Sequence, residues 1–183
     1  MNSHEFIKAD LTRYKDENRF NRLFSALHIP GFRYTYILRK SSFSKKRSIP
    51  GLFYRLLLRF YSLKYGYQIN PSTKIGKGLY IGHRGTIIVN SLSVIGTYCN
   101  LSPGVTIGQT NRGIKRGAPV LGDRVWVGTN AVIVGGIKIG DNVLIAPNAY
   151  VNVDVPSNSV VIGNPAQIIF KENATESYID NCI

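Results

Sequence analysis

The sequence predicts a mainly β protein, a parallel β-helix of six-residue repeats, carrying an α-helical flank on its N-terminal side. Three observations lead there. Aliphatic residues recur at every sixth position: Ile69, Ile75, Ile81 and Ile87, then, after a slip of two residues, Ile95, Leu101 and Ile107, and, after a break over Gly108–Val120, Leu121, Val127, Ile133, Ile139, Ile145 and Val151. The next residue is often glycine (Gly76, Gly82, Gly96, Gly108, Gly122, Gly128, Gly140). The fourth after the aliphatic one is small or β-branched (Thr73, Val105, Val125, Ala131, Ile137, Val143, Ala149, Val155). Such a period matches neither an amphipathic helix nor an alternating strand, and it is the signature of a β-helix. Three hexads then close one triangular coil, and coils stack at roughly the ordinary inter-strand spacing of 4.8 Å. The aliphatic side chain fills the prism, the fourth residue must be compact, and glycine is expected to ease the corner backbone. An ordinary doubly buried sheet rich in Val and Ile would not hold its phase over so many repeats.

Along the chain, residues 1–66 are expected to form a helical, basic region, 67–170 the repeat domain with a loop at 108–120, and 171–183 a polar tail. His4, Glu5, Lys8 and Asp10 make the start too polar for a signal peptide, and no apolar run is long enough to span a membrane. The reading is therefore cytoplasmic. The formal net charge is +13, and no acidic residue occurs from Asn18 to Lys64. That stretch holds Arg19, Arg22, Arg33, Arg39, Lys40, Lys45, Lys46, Arg47, Arg55, Arg59 and Lys64, interleaved with Phe32, Tyr34, Tyr36, Phe43 and the run from Leu52 to Tyr61. Pro50 and Gly51 mark the start of a helix ending near Gly66, apolar around most of its circumference and so expected to pack. Three readings of the basic flank stand open: packing on the solenoid end or other subunits, contact with the inner face of an anionic membrane, and nucleic-acid binding, which no recognised motif accompanies. Partner expectations accordingly include peripheral membrane contact and exclude nucleic acid. Cys99 falls on an inward position and reads as core; with Cys182 it makes too few cysteines for a disulfide framework. Three scattered histidines and two distant cysteines offer no metal site.

From Gln68 onward the residues support a resemblance. Ile75-Gly76-Lys77-Gly78-Leu79-Tyr80-Ile81-Gly82-His83, Val105-Thr106-Ile107-Gly108, Val125-Trp126-Val127-Gly128, Ile137-Lys138-Ile139-Gly140 and Gly163-Asn164-Pro165-Ala166 carry it, as does the early Ile7-Lys8-Ala9-Asp10-Leu11-Thr12-Arg13-Tyr14. The chain resembles the left-handed β-helix hexapeptide acyltransferases, in their serine acetyltransferase-like branch, which also includes enzymes acetylating bacterial surface polysaccharides. The resemblance, not the spacing, implies left-handed coiling, an acetyl-CoA donor and a homotrimer with shared sites.

Acetyl transfer to a hydroxyl needs a base for the acceptor proton and a donor for the oxyanion. Of His4, His28 and His83, only His83 lies in the repeats, and there it should project outward from a coil edge. By itself an outward histidine reads as surface; the resemblance makes it the catalytic base. Where the family carries an aspartate just before this histidine, Gly82 stands; where it carries a second one, Gln68 stands; its Arg-His pair before the loop proline is Gly117-Ala118. Those groups orient the bases and hold the charged ends of an amino acid. Their loss leads the sequence reading to a neutral acceptor, a sugar or surface-polysaccharide precursor, with Gln68 and Asn90 as hydrogen-bonding partners. Serine O-acetylation and a non-catalytic scaffold remain as alternatives. In the loop, Arg112, Lys115 and Arg116 are expected at coenzyme A phosphates or an anionic acceptor, against a plain surface insertion. Trp126 should face outward, at a subunit interface or against the acetyl group or acceptor. The resemblance places coenzyme A along backbone groups at Gly108, Thr129 and Pro147, with Lys171 near a phosphate or merely solvated in a polar tail expected to be only partly ordered.

Overall fold

The computed structural model describes residues 3–14 and 22–182; Arg19 and the side chain of Arg22, counted in the basic flank, lie outside the described residues. Among those described, short strands stack into three ladders that form the faces of a triangular prism. The first face holds Tyr67–Ile69, Ile87–Val89, Thr106–Gly108, Val132–Val134 and Tyr150–Val151. The second holds Lys74–Ile75, Val94–Ile95, Val120–Leu121 and Lys138–Ile139. The third holds Tyr80–Ile81, Asn100–Leu101, Val125–Val127, Val143–Ile145 and Ser159–Ile162, and ends with Gln167–Phe170 folded back antiparallel. The repeat aliphatics from Ile81 to Val151 are buried, as are Val105, Val125, Ala131, Ile137, Val143, Ala149 and Val155. Cys99 is buried with them, which pushes its thiol up to about 12.

Within the prism, two details depart from the sequence reading. Gly76, Gly96 and Gly122 serve space rather than backbone conformation. A Cβ on Gly76 would overlap the Gly96 backbone, one on Gly96 the Gly122 carbonyl, and one on Gly122 the Asp141 carboxylate, so successive coils touch at this edge. The left-handed turn itself falls later, at Tyr98, Arg124, Asn142 and Asn158. Asp141 Oδ1 accepts from the Asp123 amide at 2.7 Å, and Asp123 Oδ1 from the Thr97 amide, so each carboxylate pairs an amide on the neighbouring coil. The two-residue slip also lies elsewhere. Ile69 pairs with Val89 and Val89 with Ile107, whereas Ile87 pairs with Tyr67. The extra residues therefore fall before Ile87, in the corner that contains His83.

Among the described residues four helices precede the prism: α1 (Ser3–Thr12), α2 (Arg22–Ala26), α3 (Pro30–Phe43) and α4 (Ile49–Tyr65). The Ser48 hydroxyl caps α4 by accepting from the Gly51 amide, with proline in the first turn, and Gly66 ends it at φ 82°. Against expectation, α4 packs through one side only, Gly51, Leu58 and Tyr65 with Leu57 and Tyr61 partly buried beside them, and leaves Ile49, Leu52, Phe53, Leu56, Phe60 and Leu63 exposed. Tyr34, Tyr65 and Tyr67 meet edge-on or tilted at centroid distances of 4.9 and 5.6 Å and plug the open first coil, an end that a solenoid must cover. α3 comes so close that a Cβ on Gly31 would overlap the Ile81 carbonyl oxygen. One buried ion pair clamps α1 and α3 to the prism. Asp10 receives Arg39 Nε at 2.8 Å and the Leu79 amide at 2.9 Å, while Arg39 also donates to the Ile75 and Gly76 carbonyls. Burial pulls the Asp10 carboxyl above its ordinary range, and Arg39 opposes that pull.

The segment after Phe170 is an ordered strap, not a loose tail. Ala174, Thr175 and Ile179 are buried, and Asn142 Oδ1 accepts from the Thr175 amide and hydroxyl. Asn100 joins strap to helices, donating to the Tyr178 carbonyl at 3.0 Å and accepting from Arg13 at 2.7 Å. The strap is polar in composition, yet it lies along a ladder of stacked corner asparagines that supplies its partners.

Candidate active site

His83 lies in the enlarged corner between the third and first faces, its side chain exposed. A fully buried side chain holds this corner from below: the Tyr67 hydroxyl donates to the His83 backbone carbonyl at 2.8 Å. Burial pushes the Tyr67 phenol up to about 12, so it keeps its proton, and its donor role, across neutral and mildly alkaline pH. Beside it, Tyr14 accepts from the Ile81 amide at 2.9 Å and donates to the Ile81 carbonyl at 3.1 Å, fixing the strand that leads into Gly82. Arg84 lies over the Tyr65 ring, 5.7 Å from its centroid. Among the described residues nothing hydrogen-bonds the His83 imidazole, which is open to an incoming hydroxyl. Tyr67 and Tyr14 were not singled out in the sequence. Tyr67 sits two residues before Ile69 and reads there as ordinary repeat filling.

The other candidates spread over the prism. Thr129 and Pro147 are exposed on the same edge as His83, in later coils, and the Thr129 carbonyl accepts from the Asn148 amide. Gly108 and the loop after it leave from the other end of the first face. That loop is closed by a Thr110–Gly117 bridge and exposes Arg112, Lys115 and Arg116. Gln68 points out from the first face into an open groove of about 560 Å³ beneath α4, which Arg55, Arg59, Asn70 and Ser91 also line. Asn90 is committed to the corner: its Oδ1 accepts from the Leu92 amide at 2.9 Å. Trp126 faces outward as expected, but the strap meets it, Tyr178 packing edge-on at 5.0 Å. Lys171 is exposed at the far end, its amide bonded to the Asn158 carbonyl. One chain thus unites His83, Thr129 and Pro147 on one edge and Gly108 with the basic loop on another, and Gln68 points out from the first face between them.

Comparisons with known proteins agree with the prism. The bacterial transferase hexapeptide (six repeats) family matches residues 118–152. The serine acetyltransferase of Synechococcus elongatus is 30% identical over 167 residues, covering 91% of this chain and 68% of that one. That of Helicobacter pylori is 38% identical over 107 residues, covering 58% of this chain and 63% of that one. A crystal structure of Neisseria gonorrhoeae serine acetyltransferase in complex with serine superposes with a TM-score of 0.73 at 30% identity, over 91% of this chain and 69% of that one. Serine acetyltransferase 4 of Arabidopsis thaliana is longer, and the chain spans 46% of it.

These relationships correct the expected sugar acceptor and the link to polysaccharide assembly, since the relatives named are serine acetyltransferases. Gly82, Gln68 and Gly117-Ala118 stand where the family carries two aspartates and an Arg-His pair, but an amino acid's charged ends can be held by other side chains or by backbone groups. The likeness is not confined to the repeats; it runs through the helices as well as the prism. Its extent makes this chain a member of the serine acetyltransferase family, with the left-handed coil of the hexapeptide acyltransferases.

Proposed function

We propose that the chain transfers the acetyl group of acetyl-CoA to the hydroxyl of L-serine, with His83 as general base. The observation that carries this reading is His83 itself, exposed on a corner that Tyr67 holds through its backbone carbonyl, in a chain related over nine-tenths of its length to serine acetyltransferases. The neutral imidazole takes the hydroxyl proton as the oxygen attacks the thioester carbonyl. The tetrahedral intermediate then collapses, the carbon–sulfur bond breaks, and the imidazolium returns its proton to the departing thiolate. Histidine suits both transfers because it exchanges protons near neutral pH. The donor runs along the His83 edge past Thr129 and Pro147 and reaches Gly108, with Arg112, Lys115, Arg116 and Lys171 as its phosphate partners.

The division of these groups between two edges supports a homotrimer, in which the loop edge of one copy lies against the His83 edge of the next. Gln68, on the first face between the two edges, then faces the acceptor of the neighbouring copy.

The test is thiol release from acetyl-CoA with and without L-serine. Turnover that depends on serine is the expected result, and no stimulation by serine overturns the reading. Tyr67→Phe removes the hydroxyl that holds the His83 carbonyl. It is expected to lower kcat several-fold with little change in KM for acetyl-CoA, and to cost about 1 kcal/mol of stability. That stability contribution is complete below the ordinary tyrosine range and is lost as pH rises through the folded value of about 12.

A further inference from the structure

We propose that the outward face of α4, with the basic turn before it, docks on the surface of an anionic phospholipid bilayer. Ile49, Leu52, Phe53, Leu56, Phe60 and Leu63 recur at three- and four-residue steps and form one stripe along the helix. All six are exposed, Ile49 to 86%, Leu63 to 80% and Leu56 to 70%, while the opposite strip of Gly51, Leu58 and Tyr65 faces the protein. A stripe of that size is unusual on a water-facing surface.

Cations border it. Arg59 and Lys64 are exposed on its flanks, and Lys64 Nζ lies over the Phe60 ring, 5.8 Å from its centroid. Lys45, Lys46 and Arg47 are exposed in the turn leading into the helix, next to the half-exposed Phe43. No acidic residue interrupts the chain between Glu17 and Asp123.

Charge selects the occupant. A second copy docking on the stripe would bring two of these cation clusters together without carboxylates to offset them, a repulsive arrangement. A bilayer supplies both needs at once, acyl chains for the leucines and phenylalanines and phosphates for the lysines and arginines. No helix among the described residues is long and apolar enough to cross a membrane, so α4 lies in the plane of the interface. The inference is independent of the acceptor and of the role of His83.

The test is co-sedimentation of the full chain with extruded phosphatidylcholine vesicles, with and without phosphatidylglycerol, at low and high salt. The protein is expected to pellet with the anionic vesicles at low salt and to be released as salt screens the contact. Leu56→Glu with Phe60→Glu changes exposed residues only, so it should melt as wild type does while binding falls more than about tenfold. Replacing Lys45, Lys46 and Arg47 together by serine should weaken binding to anionic vesicles by about a hundredfold. Wild-type protein that stays in the supernatant with anionic vesicles at low salt overturns the proposal. So does binding that the double glutamate variant leaves intact, or a larger assembly that this variant dissolves in the absence of any vesicle binding, which would make the occupant a second copy.

Discussion

Replacing His83 by alanine is expected to lower kcat for acetyl transfer by about 100- to 10,000-fold, the usual contribution of a positioned general base. The structure makes this a clean experiment. The side chain is exposed, and the corner is held through the His83 backbone carbonyl, which Tyr67 would still meet in the variant. Stability should therefore stay within about 0.5 kcal/mol of wild type, as for other surface substitutions, while KM for acetyl-CoA changes little. The measurement is steady-state thiol release beside a urea titration. Full activity in the variant would remove His83 from the chemistry; lost activity with lost stability would make it a structural residue instead.

The second large effect is on folding. Arg39→Ala is expected to destabilise the protein by about 3–5 kcal/mol, because it leaves Asp10 buried without its counter-ion. Asp10 is fully buried and Arg39 nearly so. The same guanidinium donates to the Ile75 and Gly76 carbonyls, so the loss also unfastens α3 from the second face. The urea midpoint reads the effect. The deficit should shrink at acid pH. A carboxyl raised by burial is neutral in both states below its ordinary range, and stability is lost as pH rises through its folded value, which moves further up without Arg39. Adding Asp10→Asn should recover part of the loss. A deficit under about 1 kcal/mol would mean the pair contributes no more than a surface bridge.

Much of this molecule can be read from spacing. In a solenoid each coil packs mainly on its neighbours, so a side chain's place depends on its distance along the chain from its own repeat. For that reason Ile81, Leu101 and Val127 were legible as core, the helix from Pro50 to Gly66 was legible from its proline and its terminal glycine, and His83 was legible as outward. The same logic failed at Gly96 and Gly122. Composition suggests turn glycines there, and the reason for them is the backbone of the next coil, which no local window contains. It failed also at the slip. Counting hexads puts the two extra residues after Ile87, whereas the pairing of Ile87 with Tyr67 puts them in the His83 corner.

The acceptor was misread for a related reason. Gly82, Gln68 and Gly117-Ala118 are isolated substitutions, while the relation to serine acetyltransferases runs over 91% of the chain. Periodicity, a local property, was enough for the class of fold and for most of the core, and the family resemblance added the single histidine worth testing. Contacts between residues far apart in the chain decided the rest: Tyr67 beneath the His83 carbonyl, Arg39 on Asp10, the strap tied to Asn100, and the stripe of α4 left facing outward. Each of these depends on which surfaces meet once the coils are stacked, and a repeat that looks only six residues ahead carries no record of that.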